Sequence, residues 1–127
     1  MNWKTTILSA SEMSSDGDAT LEVQTEFVFG SSDFYSSLPG YERIEGEVEY
    51  GIERIFFDKD VSWLSKQGRQ DVYPEYTLAA PDLDRHPKSW GRLIWRSVLE
   101  VNADTQEQVD ALIGLTHEET DRETPPF

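Results

Sequence analysis

Apolar and polar residues alternate with a period of two along much of this chain, the signature of half-buried β-strands. The clearest case is residues 20–29, where Leu21, Val23, Phe27 and Phe29 fall on one face and Glu22, Gln24, Glu26 and Val28 on the other. Residues 91–101 repeat the pattern, with Leu93, Trp95, Ser97, Leu99 and Val101 set against Arg92, Ile94, Arg96, Val98 and Glu100. A shorter strand is predicted over residues 3–10 through Thr5, Thr6, Ile7 and Leu8. It leads into Ser14-Ser15-Asp16-Gly17-Asp18, where Asp-Gly supplies the positive φ angles of a tight turn. The first two strands are therefore expected to form a hairpin.

Residues 43–56 also alternate. Ile44, Gly46, Val48, Tyr50, Ile52, Arg54 and Phe56 share one parity; Arg43, Glu45, Glu47, Glu49, Gly51, Glu53 and Ile55 share the other. This reads as a strand in which Gly46 and Gly51 mark bulges or bends. Val72 to Ala80 reads as an edge strand, because Pro74 has no N–H for a central ladder. Between these, Asp58 to Gly68 is ambiguous, with Asp60 placed to cap a short helix through Val61, Trp63 and Leu64.

The period changes only near the end of the chain. Asp104 or Thr105 can cap a helix, Glu107 and Gln108 can complete a capping box, and Val109, Leu112 and Ile113 form an apolar stripe. Gly30 to Gly40 and Pro81 to Ser89 read as loops, and the segment 116–127 as an acidic, flexible tail. The expected fold is α+β: one domain over residues 1–115, with an antiparallel sheet of about five strands and one C-terminal helix packed on one face. A ferredoxin-like layout suits a strand that leads into a final helix, and fold alone implies no function.

Composition narrows the class. At 127 residues, 37% hydrophobic and 12% aromatic, the chain can bury a core. It has no cysteine, which excludes disulfides and thiolate metal sites. No apolar run approaches the ~18 residues that span a bilayer. Lys4 is followed only by Ile7 and Leu8 before serines begin, too little for a leader peptide, so a cytoplasmic location is expected.

Charge changes the picture most. The net charge is −14. Direct binding of nucleic acid or of an anionic membrane is disfavoured, and a basic protein partner is favoured. The charge is uneven: residues 1–60 carry thirteen acids and four bases, residues 61–103 five and six, residues 104–127 seven and one.

Candidate chemistry is sparse. His86 and His117 fall in no metal-ligand pattern. Asp16-Gly17-Asp18 lacks the rest of a calcium loop and reads as a turn. No nucleophile elbow, dinucleotide fingerprint or phosphate loop occurs. Nothing points to a catalytic residue, a metal or a cofactor, and the expectation is a protein that is not an enzyme.

What stands out is glutamate, a poor strand former, four times on one face of the strand predicted over 43–56. Glu45, Glu47, Glu49 and Glu53, joined by Glu22 and Glu26 from a neighbouring strand, make a candidate partner-binding face. Carboxylates two apart on a strand are ~6.6 Å from one another, a row that resembles backbone phosphates. By charge and size alone, such a chain compares with anti-defence inhibitors, nucleic-acid mimics and immunity proteins against basic nucleases. An ordinary solvated sheet face is the plain alternative. Others are a salt-adapted ligand-binding domain and an assembly subunit, of a phage or another complex, that makes contact or self-associates through Ile55, Phe57, Trp63 and Trp90. A pocket of Trp90, Tyr73, Tyr76 and His86 would serve a small enzyme or ligand binder.

Overall fold

The computed structural model describes residues 2–29, 41–57, 59–79 and 90–120. The elements run β1 (Asn2–Ala10), β2 (Asp18–Phe29), α1 (Tyr41–Phe57), β3 (Gln67–Ala79), β4 (Trp90–Asn102), α2 (Gln106–Asp110) and β5 (Thr116–Thr120). The five strands form one sheet in the order β3-β4-β2-β1-β5, and every neighbouring pair is antiparallel. The α+β class and the five-stranded antiparallel sheet expected from the alternation are observed. β1 and β2 form the hairpin. β2 and β3 run parallel on either side of β4 and are connected through α1, a split β-α-β unit.

The hairpin loop depends on Gly17, whose φ is +85°. Its carbonyl accepts from the Ala103 N–H at 2.9 Å. A Cβ at this position would lie 2.6 Å from the Ala103 carbonyl oxygen. The turn is thus shaped both by the left-handed conformation and by the close passage of the chain after β4.

Residues 43–56 correct the sequence reading, because they are helical. Ile44, Val48, Ile52 and Phe56 are each four apart, a spacing that fits period two and lies near the helical period as well. Ile55 separates the two readings. It is buried beside Ile44, Val48, Ile52 and Phe56, which a strand of alternating faces would not allow. Glutamate is a good helix former, so the run of glutamates belongs to a helix whose outer flanks are wet.

The layer over the sheet is therefore α1, and the C-terminal helix expected to cover a face is the short α2. Its capping box forms as expected: the Gln108 N–H donates to Thr105 Oγ1 at 3.3 Å, and the Thr105 N–H donates to Gln108 Oε1 at 3.1 Å. Val109 and Leu112 are buried, whereas Ile113 is exposed and Gly114 turns the chain with a φ of +88°. The chain then returns as β5 against β1. Residues 116–120, read from sequence as the start of the tail, are an edge strand among the described residues; residues 121–127 lie outside the described residues, as do the predicted loops at 30–40 and 81–89. Within the described part of the 58–68 stretch, residues 59–66 hold a turn, with the Leu64 N–H donating to the Val61 carbonyl, and β3 starts at Gln67 rather than Val72. Its position at the sheet edge accommodates Pro74.

One face of the sheet is dry. Ile7, Leu21, Val23, Phe27, Leu93, Trp95, Leu99 and Val101 meet Ile44, Val48, Ile52, Ile55 and Phe56 of α1. The helix passes close to β1 at Gly51, where a Cβ would overlap the hydroxyl of Thr5. Glycine inside a helix costs about 1 kcal/mol relative to alanine, and here it permits the helix to seat on β1. Beneath it the buried hydroxyls of Thr5 and Thr25 satisfy one another at 3.0 Å. Among the described residues no element covers the opposite face of the sheet, which is mixed, with Leu8, Val28 and Val72 exposed among polar side chains. Among the described residues no helix is long and apolar enough to cross a membrane.

Candidate functional site

The six glutamates of the expected binding face fall on three surfaces. Glu22 and Glu26 stand on the open face of the sheet, since their β2 neighbours Leu21, Val23, Thr25 and Phe27 are buried beneath α1. Glu45, Glu49 and Glu53 line the flank of α1 nearest β3, with Glu42 continuing the row at helical spacing. Glu47 lies on the other flank. The continuous carboxylate face predicted for a strand does not form, because the segment is a helix on the far side of the sheet from Glu22 and Glu26.

Three of the six are also neutralised within the fold. Glu22 Oε1 accepts from Arg96 Nη1 at 3.0 Å, and its other oxygen accepts from Ser9 Oγ at 3.3 Å. Arg69 of β3 donates through Nη2 to Glu45 at 3.1 Å and to Glu49 at 3.3 Å. Its Nη1 lies 3.4 Å from Asp71 Oδ1, a charge contact without hydrogen-bond alignment. Asp71 in turn accepts from the buried Ser97 hydroxyl at 2.8 Å. With the Arg69 side chain only 12% exposed, this cluster fastens α1 to the sheet edge. Glu26 and Glu47 are engaged as well. Glu53 makes no ion pair among the described residues.

A different acidic surface emerges at one end of the sheet, where the loop between β1 and β2 meets α2 and its flanks. It carries Glu12, Asp16, Asp18, Asp104, Glu107 and Asp110, all exposed. Residues 11–18 and 103–115 contain no lysine or arginine. The two segments are stitched together by amide side chains. Asn102 Nδ2 donates to the Asp16 carbonyl and to Asp18 Oδ1, both at 3.0 Å. Gln106 accepts from the Met13 N–H and donates to the Ser11 carbonyl and to Asp110. The carboxylates are thus presented on an ordered platform rather than on free loops. Lys66 borders it and is held by Glu100 at 3.5 Å.

Sequence reasoning passed over this platform because its halves are almost ninety residues apart. The available signal was the absence of any base from both segments.

Other candidates resolve into structure. Ile55, expected at an assembly contact, is core, whereas Phe57 is 77% exposed. Trp63 packs partly against the core, and its indole N–H donates to the Asp60 carbonyl at 3.2 Å. Trp95 is core. His117 is half-buried on β5, 2.8 Å from Glu119 and edge-on to Tyr50. The proposed pocket cannot be placed: His86 and the side chains of Trp90, Tyr73 and Tyr76 lie outside the described residues. No group of three or more metal-binding side chains gathers among the described residues.

The open face holds a depression of about 460 Å³ beside Ser9, Thr20 and Val72. Bulges in β1 and β3 shape its rim, and the Glu22–Arg96 pair spans it.

No protein-family model, curated protein or solved structure matches the chain.

Proposed function

We propose that this chain is a non-enzymatic binding protein, of inhibitor or immunity type, that engages a basic protein partner by its carboxylates. The observation that carries the reading is the acidic platform: six exposed carboxylates on two segments that contain no base, ordered by Asn102 and Gln106. A backbone already held in place loses less entropy on association than that of a free loop. A field of one sign, in a chain of net charge −14, accelerates encounter with a basic surface and makes binding sensitive to salt. A partner whose groove ordinarily holds a polyanion has the matching chemistry.

The reading moves the contact away from Glu22, Glu45 and Glu49. Each would have to give up an internal arginine to meet an external one, which cancels much of the gain.

The test is retention of proteins from a nuclease-treated lysate of the source cells. Wild-type protein is compared with the Asp16→Asn, Asp104→Asn, Glu107→Gln variant. The reading expects a basic protein retained by wild type at low salt, released as salt rises, and not held by the variant. Equal retention by both would remove the platform from the interface.

A further inference from the structure

Two depressions meet along the seam between α1 and the edge strand β3. One, of about 320 Å³, opens over Ile52, Gly68 and Leu99 below Glu49. The other, of about 530 Å³, lies against Tyr50, Phe56 and Phe57. Glu53 and Gln67 line both, so the two form one groove with Glu53 at its middle. The space over Gly68 is open, since a Cβ there would meet nothing within 4 Å.

The groove is apolar at its base and carries Glu49, Glu53, Arg54 and Arg69 at its rim. Ile52, Phe56 and Leu99 are buried side chains that reach its floor, and Phe57 stands 77% exposed at one end. The two cations that line it are already occupied. Arg69 is shared by Glu45, Glu49 and Asp71, and Arg54 lies over the Phe57 ring at 4.8 Å from its centroid. Glu53 has no such partner among the described residues. An aromatic ring that already stacks one guanidinium, beside a carboxylate with no ion pair among the described residues, suits a second cation whose aliphatic stem lies on apolar surface.

The geometry points to this groove as a docking site for an extended basic segment of the partner, with an arginine side chain set between Glu53 and Phe57 and an adjacent apolar residue over Ile52 and Leu99. The inference rests on the basic-partner reading and adds the anchor that charge alone lacks. Among the described residues β3 is an edge strand along the same seam, which suits an extended chain.

A short acetylated, amidated peptide of alternating arginine and leucine serves as the probe, followed by amide chemical shifts of the labelled full chain at low salt. Shifts are expected at Glu53, Phe57, Gln67 and Gly68, with affinity falling about tenfold in Phe57→Ala and in Glu53→Gln. Both residues are exposed, so the variants keep the wild-type spectrum elsewhere. A peptide of alternating arginine and glycine is expected to bind more weakly. Shifts confined to Asp16, Asp18, Asp104, Glu107 and Asp110 would overturn the groove and leave the basic-partner reading standing. Shifts nowhere would overturn both.

Discussion

Two groups of carboxylates lie on different parts of this molecule and do opposite things. On the α1 flank, Glu45 and Glu49 are drawn onto Arg69, which also meets Asp71. At the end of the sheet, Glu12, Asp16, Asp18, Asp104, Glu107 and Asp110 face solvent with no cation in their own segments. The first group holds a helix on a sheet; the second leaves a field that another molecule can feel. Acid content therefore does not locate an acidic surface. What decides is whether the fold supplies each carboxylate with a base, and only tertiary structure shows that.

The contrast breaks most directly at Arg69. Arg69→Met leaves three carboxylates facing one another at a partly buried site. Unfolding free energy is expected to fall by about 2–4 kcal/mol, read from urea denaturation, and a loss below about 0.5 kcal/mol, the range of an ordinary surface change, would show that the cluster is not structural. Gly51→Ala acts on the same layer from the other side. By forcing α1 away from Thr5 it is expected to cost about 1–3 kcal/mol, less in a Thr5→Ala background where the overlapping hydroxyl is gone. Equal cost in both backgrounds would mean that the close approach is not the cause.

A smaller effect sharpens the other side. Thr105→Ala removes the cap that starts α2 and is expected to cost about 1 kcal/mol. It should also loosen the Gln106 bridge, seen as faster amide exchange at Met13. Smallest of all is the response of the platform itself. Asp16→Asn, Asp104→Asn and Glu107→Gln together are expected to leave stability unchanged or slightly higher, because like charges no longer repel. Adding salt should then stabilise this variant less than wild type.

Much of the sheet was legible from sequence. Alternation placed Leu21, Val23 and Phe27, and Leu93, Trp95 and Leu99, on the buried face. Asp16-Gly17 located the hairpin turn, Pro74 an edge strand, and Thr105 with Gln108 a capping box that forms. The 43–56 segment was not legible, because residues four apart satisfy two periods at once and two glycines imitate bulges. Gly51 has a different purpose, which depends on Thr5 lying beneath it. β5 escaped notice because Thr116–Thr120 has no apolar alternation and is ordered by pairing with β1. The platform escaped for a related reason: its order comes from Asn102 and Gln106, whose hydrogen bonds to the loop between β1 and β2 span 84 to 95 positions.

One paired measurement tests the central claim that the fold uses one set of carboxylates and leaves the other for a partner. The platform variant and a Glu45→Gln, Glu49→Gln variant are each assayed for urea stability and for retention of the proposed basic partner at low salt. The account predicts a crossed result: the platform variant keeps its stability and loses the partner, while the α1 variant loses stability and, under conditions where it is folded, keeps the partner. An α1 variant of undiminished stability that no longer binds, beside a platform variant that binds as wild type, would contradict it.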